Sequence, residues 1–144
     1  MFQTLAYYVT LFHRSFVTYT TARLHQVGLS FGSLFPILYV GKHPGCSQAQ
    51  LTAALNLDWG HSQRLIKLVE EGFLTREKSG RSYHLDLSPK GQETFEVSHQ
   101  VFFDWDAEVL ASLSPAEQQQ LLNLLAKVTR KEVDPTCTKP SKAL

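Results

Sequence analysis

Polar side chains that can read DNA bases are concentrated in the stretch DWGHSQRLIKLVEEGFL, residues 58–74. Gln63 suits adenine and Arg64 suits guanine, because an amide and a guanidinium can each make paired hydrogen bonds to one base edge. His61 and Lys67 add an imidazole and an ammonium nearby. The simpler alternative is a solvated polar surface, and the neighbouring elements favour DNA. The residues of this stretch predicted to contact DNA are Trp59, Gly60, His61, Gln63, Arg64 and Lys67.

The same stretch has the spacing of an amphipathic helix, with Asp58 as a cap at its start and a glycine at its end. Before it, Ser47 and Gln50 have the spacing of a capping box, which predicts another short helix. Two short helices joined by a tight turn predict a helix-turn-helix. Ser47 and Gln48 are predicted to donate hydrogen bonds to DNA phosphates, although Ser47 serves equally well as a cap alone. The apolar side of the second helix comprises Leu65, Ile66, Leu68 and Val69.

A β-hairpin is predicted directly after the helix-turn-helix. Residues 73–75 and 83–87 have strand character, and residues 78–80 contain a Ser-Gly pair that suits a tight turn. A hairpin in this place forms the wing of a winged helix. Lys78 and Arg81 are predicted to contact phosphates or the minor groove from its tip, with an ordinary charged turn as the alternative.

Helices flank this winged helix-turn-helix on both sides. Residues 2 to about 27 carry apolar side chains at alternating intervals of three and four, and a second long helix starts at Pro89. Pro36 predicts a kink in the helix that contains it, through the loss of one hydrogen bond. Ser114 opens a last helix, and a polar tail follows from about residue 132. The predicted fold class is mostly α with a small β-hairpin wing.

Composition limits the class of protein. The chain has 144 residues, is 43% hydrophobic and has a net charge of +1, so a nucleic-acid role must rest on local charge. No apolar run is long enough to cross a bilayer and no signal peptide is present, so we expect a soluble cytoplasmic protein. We find no nucleophile–base arrangement, phosphate-binding glycine loop or suggestive carboxylate pair. We therefore expect no enzyme activity and no cofactor.

Three stretches, in this order, resemble the MarR (multiple antibiotic resistance regulator) family of bacterial transcription factors. GLSFGSLFPILYVGKHPGCSQAQL resembles the family's second and third helices, RLIKLVEEGFLTR its recognition helix and wing, and RSYHLDLSPKGQE its return strand and dimerisation helix. The resemblance covers about residues 1–131. It implies a homodimer that binds a palindromic DNA operator, usually as a repressor released by a small molecule or an oxidant. The family's Asp-x-Arg wing motif is here Ser79-Gly80-Arg81, so the aspartate that orients the arginine is missing.

The resemblance also implies a division of the chain. Residues 30–88 would form the DNA-binding lobe, residues 1–28 and 89–131 the dimerisation helices, and residues 132–144 a flexible tail. An effector pocket would lie where the first, second and long fifth helices meet the lobe, and its lining suits an aromatic or apolar ligand. Plain core packing is the alternative for each lining residue. The candidate ligand-binding residues are Phe12, His13, Phe16, Phe35, Tyr39 and Phe102.

Three further hypotheses concern chemistry outside the DNA-binding elements. Cys46 lies just before a helix, where a thiolate is favoured, so it is a candidate redox switch, with a small buried thiol as the alternative. The six histidines form no His-x3-His pair and the two cysteines no Cys-x2-Cys pair, so we expect no metal site. A winged helix can also serve as a protein-interaction module without DNA, and the modest net charge keeps this alternative open.

Overall fold

The structure is a computed structural model that describes residues 3–55 and 59–129, apart from the side chains of residues 59–62. The predicted Asp58 cap and the predicted tail from residue 132 lie outside the described residues. The elements are, in chain order, α1 (Leu5–His25), a 3₁₀ turn (Phe31–Ser33), α2 (Leu34–Lys42), β1 (Cys46–Ser47), α3 (Gln48–Leu55), α4 (Trp59–Glu70), β2 (Leu74–Ser79), β3 (Ser82–Leu87), α5 (Pro89–Val109) and α6 (Pro115–Thr129).

The strands form a three-stranded antiparallel sheet in the order β1-β3-β2. β2 and β3 pair up to Ser79 opposite Ser82, which leaves Gly80 and Arg81 as a two-residue loop. The turn predicted at residues 78–80 therefore begins two residues too early. Gly80 has a φ of 62°, the left-handed conformation that favours glycine and that tight hairpin loops require.

The third strand, β1, was not predicted from the sequence. Its two residues, Cys46 and Ser47, pair with Leu85 and His84 of β3. Two residues are too few to show the alternation by which a strand is recognised. This pairing places the start of α3 directly beside the wing.

α2 is the most buried helix of the lobe. The residues predicted to face inward, Leu34, Ile37, Leu38 and Val40, are all buried, which confirms that prediction. The kink predicted at Pro36 through a lost hydrogen bond is wrong. The chain forms a 3₁₀ turn first and begins α2 only two residues before Pro36, where a backbone N–H has no partner within the helix.

The predicted caps of the two C-terminal helices are confirmed. Ser88 Oγ accepts a hydrogen bond from the Gly91 N–H at 2.9 Å and donates one to the Phe73 carbonyl at 3.0 Å. Ser114 and Glu117 form a reciprocal capping box, with distances of 2.9 and 3.2 Å. Each cap supplies partners for N–H groups that the first turn of a helix leaves unsatisfied.

The chain divides into two compact units, Met1–Val101 and Phe102–Leu144. Within the second, the Gln118 side-chain amide donates hydrogen bonds to the carbonyls of Leu110 and Leu113, at 2.9 and 3.2 Å, and so closes the turn before α6. No helix in the described part of the chain has the length and hydropathy that a membrane span requires. The predicted fold class, mostly helical with a small wing, is confirmed.

Candidate nucleic-acid interface

The start of α3 is held by the predicted capping box. Ser47 Oγ accepts a hydrogen bond from the Gln50 N–H at 3.0 Å, and Gln50 Oε1 accepts one from the Ser47 N–H at 2.8 Å. Leu51, one turn into the helix, is fully buried and anchors it to the core. Gln48 is half-buried, and its Oε1 meets no donor among the described residues. The start of α3 therefore carries a buried polar atom without a hydrogen-bond partner among the described residues.

Two side chains of β3 hold the turn before α3. The Gly45 N–H donates to Asp86 Oδ1 at 2.7 Å and to the Leu85 carbonyl at 3.0 Å. The Gly45 carbonyl lies 3.0 Å from His84 Nδ1, which donates to it in the tautomer that carries the proton on Nδ1. Together with the β1–β3 pairing, these contacts join the start of α3 and the wing into one rigid piece.

An open groove of about 620 Å³, here called the α3–wing groove, lies between α3 and the hairpin. It brings together Ser47, Gln48 and Arg81, three residues predicted from separate parts of the sequence. Its charged lining residues are both arginines, so the groove is electropositive. Lys78, exposed on the same hairpin, does not line it. The lining comprises Ser47, Gln48, Ala49, Thr52, Ala53, Arg76, Arg81, Ser82 and Tyr83.

Arg76 and Tyr83 are groove residues that the sequence interpretation missed. The Arg76 guanidinium carbon lies 3.6 Å from the centroid of the Tyr83 ring, a cation–π stack that orients the guanidinium. The register of the hairpin strands is the feature that could have identified these two residues. Arg76 opposes Leu85 and Tyr83 opposes Lys78, so Arg76 and Tyr83 are diagonal neighbours on the same face of the hairpin.

The recognition helix α4 is anchored by Leu65 and Leu68, which are both buried, and Gly72 follows its end with a φ of 85°. Gln63 is exposed, as predicted for a base-reading position. The prediction that Ile66 belongs to the apolar side is wrong, because its side chain is 38% exposed. Successive helical residues are about 100° apart, which turns Ile66 away from the face that Leu65 buries. The surroundings of three further predicted contact residues lie outside what the structure describes; these are Trp59, Gly60 and His61.

Arg64 and Lys67 line a different depression, here called the α1–α4 cleft. It has a volume of about 500 Å³ and lies between the end of α1, the 3₁₀ turn and α4. The Arg64 guanidinium lies against Gly32, where an added Cβ would overlap it. Lys67 Nζ lies 3.7 Å from Glu71 Oε1, one turn further along α4. The predicted DNA-contacting residues are thus divided between two surfaces rather than gathered on one.

The predicted effector residues line neither the groove nor the cleft. Phe16 packs edge to face on Phe31, with ring centroids 6.2 Å apart, and Tyr39 stacks on His43 at 4.2 Å. The effector pocket therefore stays a prediction. Three of the other predicted effector residues are exposed, namely Phe12, His13 and Phe35. The last, Phe102, belongs to the second compact unit.

Cys46 lacks the environment that its predicted redox role requires. Its side chain is buried at 6% exposure. Burial, and then the negative charge of Asp86, raise the pKa of the Cys46 thiol above its ordinary value. The pKa is therefore shifted in the direction opposite to the one predicted from the place of Cys46 before α3, because burial and the charge of Asp86 both disfavour the thiolate. Within the described residues, no group of three or more His, Cys, Asp or Glu side chains is placed to hold a metal ion.

Comparison with known proteins finds relatives among transcriptional regulators. The chain is 41% identical over 143 residues to the HTH-type transcriptional regulator BilQ of Clostridium symbiosum, covering 96% of this chain and 99% of the relative. No family model matches the chain.

Solved structures show the same fold. A MarR transcriptional regulator from Methanosarcina mazei Go1 matches with a TM-score of 0.77 at 21% identity, over 88% of this chain and 87% of that one. The Mycobacterium tuberculosis MarR family protein Rv2887, in complex with p-aminosalicylic acid, matches with a TM-score of 0.69 at 24% identity, over 87% of this chain and 98% of that one.

Proposed function

The chain belongs to the MarR family of helix-turn-helix transcriptional regulators, and we propose on that basis that it is a homodimer that binds a palindromic DNA operator and represses transcription in the cytoplasm. We further propose that a small apolar or aromatic ligand releases it. Membership confirms the resemblance seen in the sequence and the expectation that the protein is a regulator rather than an enzyme. The observation that carries the proposal is the α3–wing groove.

The chemistry of the α3–wing groove suits a DNA backbone. Arg76 and Arg81 supply fixed positive charge, and Ser47 supplies a hydroxyl at the start of α3, where backbone N–H groups favour anions. Arg81 stands in the two-residue loop at the tip of the wing and is exposed, as an arginine that enters a minor groove must be. Such contacts set the position of a protein on DNA, and Gln63 on α4 is the described residue best placed to add base recognition.

Exposed apolar side chains on two helices support the homodimer. On α1, Leu5 and Val9 are 56% and 53% exposed, and on α6, Leu124 and Val128 are 54% and 64% exposed. Large apolar side chains exposed on a helix mark an interaction site, and two-fold pairing buries the same surface on both copies. Sedimentation should give twice the 16.3 kDa mass of the chain. A monomer at every concentration up to 100-fold above the DNA-binding range would contradict this part of the proposal.

A ligand is favoured over an oxidant as the releasing signal. Cys46 is buried and its pKa is raised, so it is a poor target for oxidation. The complex of Rv2887 with p-aminosalicylic acid supports a small aromatic ligand, which is the class proposed here.

Footprinting on the DNA upstream of the protein's own gene tests the DNA-binding part. We expect a protected palindrome whose occupancy falls as salt rises, because binding to phosphates releases counterions. Arg81→Ala should weaken binding and lower the slope of log affinity against log salt by about 1. Arg14→Ala is the matched control, since Arg14 is an exposed arginine on α1, and it should leave both quantities unchanged.

If the protein does not protect this DNA, the same measurement is repeated on random-sequence DNA. No binding there at low salt would refute the proposal and favour the winged helix as a protein-interaction module. Equal salt slopes for the native chain and Arg81→Ala would leave DNA binding in place but remove the wing arginine from the interface.

A further inference from the structure

A stack of two side chains lines the α3–wing groove. The Arg76 guanidinium carbon lies over the Tyr83 ring, 3.6 Å from its centroid, and both residues belong to the lining. Contact with the face of the ring restricts the rotation of the long arginine side chain. Arg76 is itself exposed, so the stack holds a solvent-accessible charge in one direction.

The pleat of the hairpin determines which way the stack faces. Arg76 opposes Leu85, which is fully buried, so Arg76 projects from the inner face of the hairpin. Glu77 and Asp86 are the next residues along the two strands, and each projects from the outer face. Neither of these carboxylates lines the groove. The charge of Arg76 is therefore not balanced there by its neighbours on the hairpin.

Arg76 is better positioned than Arg81, the other arginine of the groove. Arg76 lies in the paired part of β2, and its side chain has the Tyr83 stack. Arg81 lies in the two-residue loop, and among the described residues it stacks on no ring and forms no ion pair. Binding a phosphate must therefore order the Arg81 side chain, whereas the Arg76 side chain is already ordered.

We infer that Arg76 binds a phosphate of the DNA backbone in the α3–wing groove and that Tyr83 is the residue that positions it. This assignment rests on the proposed function, DNA binding, and specifies how the groove performs it. The edge of the guanidinium would donate hydrogen bonds to the phosphate oxygens, while its flat face stays against the ring. Tyr83 acts through Arg76 and need not touch the DNA.

The α3 side of the groove leaves room for a phosphate. Ala49, Thr52 and Ala53 line it, and none of them carries a charge or a long side chain. Ser47 lines the same groove at the start of the helix. Its Oγ accepts a hydrogen bond from the Gln50 N–H and keeps its own proton to donate to a phosphate oxygen.

A stack that only stabilises the hairpin is the alternative. Arg76 and Tyr83 are diagonal cross-strand neighbours, and such pairs stabilise antiparallel strands whatever the protein binds. The position of the stack inside an electropositive groove favours a phosphate contact instead. The two explanations differ in one measurable respect, because a positioning residue loses its effect once Arg76 is removed.

Fluorescence anisotropy with DNA from upstream of the protein's own gene, at several salt concentrations, tests the assignment. Arg76→Ala should weaken binding about tenfold or more and lower the slope of log affinity against log salt by about 1, because one charged contact is lost. Tyr83→Leu removes the ring but keeps the charge, so it should weaken binding roughly threefold and leave the slope unchanged. Tyr83→Phe keeps the ring and should bind like the native chain.

The double variant Arg76→Ala/Tyr83→Leu separates positioning from stability. Tyr83→Leu should cause no further loss of affinity in a chain that lacks Arg76. A ring that only stabilised the hairpin would weaken binding in that chain as well. Circular dichroism checks that each variant is folded, and Tyr83→Ile, with a side chain that suits a strand, repeats the test if Tyr83→Leu unfolds.

The possible failures are distinguishable. Native affinity and slope in Arg76→Ala would overturn the inference and leave DNA binding in place. Equal losses from Tyr83→Leu with and without Arg76, or from Tyr83→Phe and Tyr83→Leu, would overturn the role of the ring. If the native chain binds neither this DNA nor random-sequence DNA at low salt, the proposed function fails and the inference fails with it.

Discussion

Replacing Gly41 by alanine has two opposite effects on stability, a gain from helix propensity and a loss from crowding in the core. The structure indicates that the loss is larger. Gly41 lies in the last turn of α2, where alanine by itself would stabilise a helix by about 0.5–1 kcal/mol. The new Cβ would, however, overlap the ring of Phe95 on α5, which is itself buried. Overfilling a packed core costs about 1–3 kcal/mol. We therefore expect the free energy of unfolding to fall by about 1–2 kcal/mol.

Gly32→Ala is the matched comparison, since it is the same substitution at another crowded glycine. There the obstacle is the exposed end of Arg64, which can swing aside, so the change should stay within about 0.5 kcal/mol. Urea denaturation followed by circular dichroism, at one fixed protein concentration, gives both values. The reasoning is refuted if Gly41→Ala is as stable as the native chain, or if Gly32→Ala loses as much stability.

Three other outcomes are expected. Ser47→Ala removes the capping box of α3 and should lower the free energy of unfolding by about 1 kcal/mol, measured in urea. Iodoacetamide should label Cys46 slowly in the native protein and much faster in urea, because burial both shields the thiol and raises its pKa; peptide mass spectrometry separates it from Cys137. Burial likewise raises the pKa of Asp106, so the folded state loses stability as pH rises from the ordinary carboxyl pKa through this raised value. Asp106→Asn should therefore be more stable than the native chain at pH 7, and this advantage should vanish once the pH is below the unfolded carboxyl pKa of about 3.9.

Each of these has a contrary result. A Ser47→Ala variant with unchanged stability would mean that water replaces the cap at no cost. Equal labelling rates for Cys46 in the native and unfolded chain would mean that the thiol is accessible. A difference between Asp106→Asn and the native chain that does not vary with pH would show that the asparagine acts through packing and not through charge.

Local rules made most of the fold predictable. The capping boxes at Ser47 and Ser114 and the glycine at position 72 were correct because each depends on a few neighbouring residues. Pro36 was misjudged because its effect depends on where the helix begins, which the 3₁₀ turn shifts by several residues. β1 could not be foreseen, since its two residues are strand only through their pairing with β3.

The sequence predicted which residues belong to the candidate site better than it predicted how they are arranged in space. Ser47, Gln48 and Arg81 were named separately, and only the β1–β3 pairing places them on one groove. Helix geometry predicts that Arg64 lies on the polar side of α4. The direction of its side chain depends on the space left by Gly32, a residue far from Arg64 in sequence. Cys46 was misjudged for a related reason, because its burial and its distance from Asp86 are set by tertiary packing.

The two contacts of β3 with Gly45 fix the distance between α3 and the wing. Because His84 and Asp86 grip the turn before α3 from the same strand that carries the wing, α3 and the loop at Arg81 cannot slide past one another. Under the proposed function, each chain therefore carries two predicted DNA contacts, the start of α3 and Arg81, at a constant distance from one another. A signal that releases the protein as proposed would then have to move the whole winged helix relative to the DNA, because it cannot change the distance between these two predicted contacts.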